Sequence, residues 1–337
     1  MHLKSLYLRN FRNYAEAQFS FADKLNIVYG DNAQGKTSLL EAIYLIATGR
    51  SFRTDTLSDL IRSGESFFFL EAHILRDAIL QRVQVSFDGQ TRKVQLDATT
   101  YATFHPLLGI LPTVLYTPYD LELISGSPME RRRFLNLHLA QSDPIYVHHL
   151  TRFWRAMKQR NCLLRSKTLD GIECWEAEMV SSAEYIGKAR AEMIQELDLP
   201  KLVAERQELQ LQLSANPKTY LQTLHKNRGK EMELGLTLVG PHRDDLTILI
   251  DGKPARMFAS EGQKKTTIAA LKFAEWDRLS RRVGAPALIC FDDLSGALDD
   301  ARQALIQERL STLGQVFITT PQTPRGEGYH ILVKNPK

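Results

Sequence analysis

The sequence predicts an α/β fold with a helical domain inserted into it, on three observations. Strand-like apolar spacing opens the chain and returns near its end, so a sheet completed from both ends is expected. The string Gly30 to Thr37 stands between a short apolar strand and an apolar helix. Between about Asp120 and Lys230 glycine becomes sparse, and helix formers with a 3.6-residue apolar period take over. At 337 residues the chain is too long for a single small core and suits two modest domains or one large domain carrying an insertion. The expected division is an α/β head over residues 1–119 and 236–337 and a helical arm over residues 120–235.

The elements follow in order. Leu3, Leu6, Leu8 and Phe11, then Phe19 and Phe21, space as strands. Met1 to Tyr14 scatters Lys4, Arg9 and Arg12 among apolar residues, so it reads as a strand and lacks the separate charged and apolar regions of a secretory signal. Lys24 to Tyr29 is a strand ending at Gly30, and Lys36 to Thr48 carries Leu39, Leu40, Ile43, Leu45 and Ile46 at the spacing of a helix on a sheet. Strands are expected over Phe67 to Leu75, Leu80 to Phe87 and Lys93 to Leu96, with Asp88-Gly89 as a hairpin turn. In the insertion, Ser182 to Leu213 carries a helical stripe that Pro200 breaks, which predicts an antiparallel helical pair. Strand patterns return at Leu236 to Val239, Leu246 to Ile250, Ala287 to Phe291 and Val316 to Thr319, with a helix from about Glu261 to Arg281.

Composition narrows the function classes. With 43% hydrophobic, 24% charged and 9% aromatic residues, disorder, collagen-like repeats and a coiled-coil rod are excluded. No stretch reaches the roughly 18 apolar residues of a membrane span, so a soluble protein is expected. The three cysteines, Cys162, Cys174 and Cys290, show no C-x-x-C spacing, which argues against a disulfide framework or zinc and for a cytoplasmic setting. His148-His149 has no carboxylate or cysteine at ligand spacing, so it reads as no metal site.

The net charge of +4 is unevenly spread. From Arg131 to Lys167 nine cations (Arg131, Arg132, Arg133, Arg152, Arg155, Lys158, Arg160, Arg165, Lys167) face one acid, Asp143. Such a concentration suits a phosphate backbone, with a solvated helix face as the alternative. Arg152, Arg155 and Lys158 are the candidate DNA contacts.

Gly30-Asp31-Asn32-Ala33-Gln34-Gly35-Lys36-Thr37 matches G-x-x-x-x-G-K-[ST] in the strand-to-helix context of a phosphate loop. Its backbone N–H groups and the helix N-terminus would receive phosphates, Lys36 would reach the β and γ phosphates of ATP, and Thr37 would ligate Mg²⁺. Ala287 to Phe291 is a buried strand delivering two carboxylates, Asp292 to hold the Mg²⁺ shell and Asp293 to orient or deprotonate the attacking water. Leu294 to Asp299 then has the spacing of the D-loop of ATP-binding-cassette (ABC) ATPases, and Ser260-Glu261-Gly262-Gln263 resembles the core of their signature motif. The resemblance implies that Ser260, Gly262 and Gln263 cap the γ-phosphate held by a partner copy; for Ser260 a plain helix N-cap is the alternative. No nuclease cluster and no Cys-His or Ser-His arrangement of a hydrolase is present.

Pro118-Tyr119-Asp120-Leu121 through Arg131-Arg132-Arg133-Phe134-Leu135, Val239-Gly240-Pro241-His242-Arg243-Asp244-Asp245-Leu246 and the opening Leu8-Arg9-Asn10-Phe11-Arg12-Asn13-Tyr14 are similar to the RecF family of bacterial recombination mediators. That resemblance implies an ABC-type P-loop ATPase head, akin to the structural-maintenance-of-chromosomes (SMC) proteins, with a helical arm. It also implies an ATP-dependent homodimer, slow hydrolysis, binding of double-stranded and gapped DNA, and work with RecR and RecO in loading the recombinase RecA during the DNA-damage (SOS) response. Departures are Asn136 in place of an acid and Gly296 in the D-loop, and Thr320 stands where transporter ATPases place a phosphate-sensing histidine. His242 and Arg243 stay open between nucleotide, DNA and Asp244 as partners, or a turn held by an Arg-Asp pair. A transporter ATPase subunit would share the loop and acids but calls for a glutamate at Asp293 and a histidine at Thr320. A purely structural chromosome organiser calls for a longer arm.

Overall fold

The computed structural model describes residues 1–199, 208–215, 220–293, 313–324 and 327–334. Strands β1 (His2–Phe11), β2 (Tyr14–Ser20) and β3 (Leu25–Tyr29) lead to helix α1 (Lys36–Thr48). Strands β4 (Phe68–Arg76), β5 (Ile79–Phe87), β6 (Arg92–Leu96), β7 (Thr99–Tyr101) and β8 (Thr113–Tyr116) follow. Next come helices α2 (Glu122–Ser125), α3 (Pro128–Ser142), α4 (Pro144–Ser166) and α5 (Ile172–Glu196), then β9 (Leu209–Ser214) and α6 (Tyr220–Leu234). After β10 (Asp245–Ile250), β11 (Lys253–Pro254), α7 (Ala255–Phe258) and α8 (Glu261–Val283) come β12 (Leu288–Phe291), β13 (Val316–Thr320) and β14 (Tyr329–Leu332).

Two compact units result, Met1–Asp120 with Lys265–Lys337, and Leu121–Lys264. The first holds two sheets. One is antiparallel in the order β2-β1-β4-β5-β6-β7, and the other is parallel in the order β14-β3-β13-β12-β8. Period-two alternation puts Leu6 and Leu8 of β1 and Phe68, Leu70, Ala72 and Ile74 of β4 on a fully buried face. Helix α1 is buried on nearly every side, as its apolar residues, interrupted only by the ion-paired Glu41, require. The buried Gln315 side chain stands in for a ladder: its Oε1 accepts from the Leu3 N–H at 2.7 Å, and its Nε2 donates to the carbonyls of Leu3 and Ala22, each at 2.8 Å.

The second unit departs from the sequence expectation in three places. The helical stripe read over Ser182 to Leu213 stops at Glu196, and β9 pairs antiparallel with β10. Leu209, Leu211 and Leu213 alternate with Gln210 and Gln212, a period of two that fits a half-covered strand. Pro200, Leu202 and Val203 lie outside the described residues. Leu236 to Val239 forms no strand: Thr237 N–H and Oγ1 donate to Asn161 Oδ1, and Leu238 N–H donates to Glu231 Oε1, so side chains replace a neighbouring strand. Residues 236–264, assigned from the sequence to the head, lie in this unit, because β10 pairs with β9 and β11.

Buried ion pairs hold the helices together. Arg160 of α4 is fully enclosed and donates to Glu176 of α5 at 3.0 Å, Glu231 of α6 at 2.7 Å and the Thr237 hydroxyl at 2.9 Å. Arg190 of α5 donates to Asp244 at 2.5 Å, the Pro241 carbonyl at 2.8 Å and Asn136 Oδ1 at 2.8 Å. Arg131 forms a two-pronged pair with Asp245 at 2.7 and 3.1 Å. Removing one member of such a pair strands the other in low dielectric. Arg160→Met is therefore expected to destabilise this unit by about 3 to 5 kcal/mol, read as a lowered urea midpoint. Adding Glu176→Gln and Glu231→Gln should recover part of the loss.

Candidate nucleotide site

Strand β3 runs into the loop Gly30 to Gly35, and α1 begins at Lys36. Gly30 has φ +145°, and a Cβ there would collide with the Val333 carbonyl beyond β14. Gly35 has φ +116°, and its Cβ would stand 2.7 Å from Asn13 Nδ2 and 2.9 Å from the Tyr14 hydroxyl. Both positions exclude larger residues on backbone conformation and on space.

Lys36 is buried and curls back, its Nζ donating to the carbonyls of Gly30 at 2.7 Å and Asp31 at 2.8 Å. The β1–β2 turn grips the loop from outside. Asn13 Nδ2 donates to the Gln34 carbonyl and the Tyr14 hydroxyl to the Gly35 carbonyl, each at 3.0 Å. Burial raises the Tyr14 phenol well above its ordinary pKa, which keeps it a donor. Arg12 anchors that turn by donating from Nε at 2.8 Å and Nη2 at 2.6 Å to Glu41, a fully buried carboxylate on α1.

Across the parallel sheet, Asp292 follows the end of β12 and is buried. Its Oδ1 accepts from the Thr37 hydroxyl at 3.0 Å and from the Thr319 hydroxyl at 2.8 Å. Burial, aided by the charge of Asp293, raises the Asp292 pKa against the hydrogen bonds of Thr319 and Thr37. A hydroxyl and a buried carboxylate within hydrogen-bond reach are two hard oxygen donors, a set that fits Mg²⁺. Asp293 has φ +54°, and its N–H donates to Thr319 Oγ1 at 2.9 Å.

Lys36, Thr37 and Asp292 thus meet in one place. Thr319 carries no signal in the sequence; it enters because Phe291 pairs with Ile318 in the parallel register. Thr320, read as the sensor position, accepts from the Gln322 N–H at 3.2 Å. Leu294 to Asp299, read as the D-loop, lies outside the described residues. Ser260, Gly262 and Gln263 belong to the second unit, at the start of α8. There Ser260 N–H donates to Gln263 Oε1 at 2.8 Å and Gln263 N–H to Ser260 Oγ at 3.2 Å, a reciprocal capping box.

The basic segment is less free than its count suggests. Arg131 and Arg160 are buried in ion pairs, Arg132 donates to the Asp244 carbonyl, and Arg152 forms a two-pronged pair with Glu178. Arg155 and Lys158 are exposed on one face of α4 beside Trp154, itself 47% exposed. Arg243 is exposed, and the Arg-Asp pair at that turn is made by Arg190 of α5, which donates to Asp244 and to the Pro241 carbonyl. Asn136, the departure from an acid, accepts from Arg190 and from the Tyr146 hydroxyl.

His242 packs against Phe153 and Trp154, and its Nε2 lies 3.1 Å from the Thr237 carbonyl. Burial lowers its pKa to about 4. The fold keeps it neutral where an unfolded chain protonates near pH 6.5, so its contribution is complete above that pH and is lost as pH falls toward 4. The expected loss is on the order of 3 kcal/mol across that window. Urea unfolding between pH 4 and 7 should show it, and His242→Gln should flatten the profile.

Comparison with known proteins agrees with this arrangement. The family described as RecF/RecN/SMC N terminal domain matches residues 2–333. A curated relative from Protochlamydia amoebophila, called DNA replication and repair protein RecF, is 43% identical over 337 residues, covering 95% of this chain and 94% of its own. Another of that name from Chlamydia caviae is 36% identical over 340 residues, covering 96% and 93%. A solved structure described as the recombination mediator protein RecF with ATP, in the RecFOR pathway, superposes with TM-score 0.93 at 26% identity, covering 99% of this chain and 96% of that one. An SMC head domain derived from Pyrococcus yayanosii, at TM-score 0.55 and 15% identity over 94% of this chain and 92% of that one, shares the ABC-type fold alone. A match across nearly the whole chain, on top of a phosphate loop joined to its acidic strand, places this protein in the RecF family.

Proposed function

We propose that this protein is an ATP-switched DNA-binding mediator of replication and repair. One observation carries the nucleotide half: Thr37 of the phosphate loop and Asp292 of the acidic strand share a hydrogen bond beside the loop that Lys36 closes. Lys36 exchanges its two carbonyl partners for phosphate oxygens, the N–H groups at the head of α1 receive the remaining charge, and Thr37 with Asp292 holds Mg²⁺. Mg²⁺ supplies charge neutralisation of the phosphates. Asp293 orients or deprotonates the water that attacks the γ-phosphate. Ser260, Gly262 and Gln263, with the N-terminus of α8, complete the same site on a second copy, so that ATP joins two copies and slow hydrolysis parts them.

The joined pair grips duplex DNA at gapped sites. Within the RecFOR pathway named for the relatives' structures, it works with RecO and RecR to help load recombinase in the cytoplasm. No helix among the described residues is long and apolar enough to cross a membrane, which suits that setting.

Lys36→Ala is expected to abolish binding of a fluorescent ATP analogue and, with it, ATP-dependent dimerisation in sedimentation; retained ATP binding would overturn the site assignment.

For DNA, Arg155 and Lys158 are the cations of α4 best placed to meet phosphates. Replacing both with Gln should reduce the log-affinity against log-salt slope by about 1.8, at roughly 0.9 for each phosphate no longer neutralised. Arg152→Gln should change the slope little, since Glu178 already neutralises it. A salt titration on one duplex with ATP present checks both; an unchanged slope in the double variant would move the DNA site elsewhere.

A further inference from the structure

Asp292 and Asp293 end a strand, and a carboxylate at a strand end needs something to fix its rotamer. Thr37 is a poor candidate for that task, because the proposed function assigns its hydroxyl oxygen to the cation. Thr319 is better suited. It is 1% exposed and sits in β13 beside the end of β12. Its single hydroxyl hydrogen goes to Asp292 Oδ1 at 2.8 Å, and its oxygen accepts the Asp293 N–H at 2.9 Å. Donor and acceptor roles are both filled, so the rotor is locked. The bond it accepts also ties down the backbone of Asp293, whose φ of +54° lies in the left-handed region that aspartate tolerates better than most residues.

We infer that Thr319 is a positioning residue of the nucleotide site: one buried hydroxyl sets the direction of the Asp292 carboxylate and the backbone of Asp293 together, and so prepares the site for Mg²⁺. The inference rests on the reading of Thr37 and Asp292 as a Mg²⁺·ATP site. It adds that the site is preorganised by a side chain from a neighbouring strand, outside the loop and the acidic strand themselves.

The test uses the full chain with three substitutions. Thr319→Val removes the hydroxyl and keeps the shape, Thr319→Ala removes it with a smaller residue, and Thr319→Ser keeps it. Affinity for a fluorescent ATP analogue is measured in EDTA and in Mg²⁺, and hydrolysis is measured alongside. The expected result is unchanged affinity in EDTA for all three. In the Val and Ala variants the Mg²⁺-dependent gain in affinity and the hydrolysis rate each fall by about tenfold or more, the scale of a missing hydrogen bond to a charged group. The Ser variant should restore both. Using two hydroxyl-free variants of different size keeps the test decisive if one packs poorly.

Val and Ala variants with the wild-type Mg²⁺ gain would overturn the inference. So would a Ser variant as impaired as Val, which would assign the effect to the methyl group. If the wild-type protein itself shows no Mg²⁺ gain, the nucleotide-site reading falls first, and the two failures are thereby told apart.

Discussion

One carboxylate oxygen, Asp292 Oδ1, is the point on which the architecture of the head converges. It receives hydroxyls from the first turn of α1 and from β13 while standing at the end of β12, so three elements far apart in sequence meet within hydrogen-bond distance. A buried carboxylate is tolerated only where donors surround it. The strand order β14-β3-β13-β12-β8 supplies them, because β13 separates the strand that feeds the loop from the strand that ends in the acids. The chemistry therefore gathers at the carboxyl ends of the parallel strands, where an open α/β sheet leaves room for a ligand.

The second unit shows the opposite use of charge. Arg131, Arg160 and Arg190 are turned inward onto Asp245, Glu231 with Glu176, and Asp244. The carboxylates come from helix α5, helix α6, Asp244 and the first residue of β10, and those paired with Arg131 and Arg160 cancel inside the unit part of the positive charge that the linear count places on α3 and α4. Buried pairs of this kind contribute little net stability compared with apolar packing, but they penalise any arrangement that separates them. They specify which helix lies beside which.

Much of the fold and of the nucleotide site is legible in the sequence, and what is not legible follows one rule. The phosphate loop, α1, α8 and the acidic strand announce themselves in short contiguous strings whose spacing is their geometry. Thr319 does not, because it matters only through the pairing of Phe291 with Ile318, a register that no local pattern encodes. Strand β9 reads as helix because Leu209, Leu211 and Leu213 also fit a helical stripe over a longer window. The arm reads as too short for the same reason: β10 resembles a strand of the head until its partner β9 is known. Arg152 counts as an available cation in the linear sequence, and Glu178, on another helix, holds it in the fold.

The position of β3 bears on how the chain is made. Strands β1, β2, β4, β5, β6 and β7 all fall within residues 2–101, so the antiparallel sheet can form while synthesis is still in its first third. Strand β3, which carries the phosphate loop, lies between β13 and β14. Those neighbours, beginning at Val316 and Tyr329, are translated about 290 and 300 residues later. At about 5 to 20 residues per second, that strand waits tens of seconds without a hydrogen-bonding partner. A nascent or truncated chain that stops before Val316 carries the intact loop sequence on a strand with neither neighbour. Completion of the sheet around the loop is thus coupled to translation of the final segments.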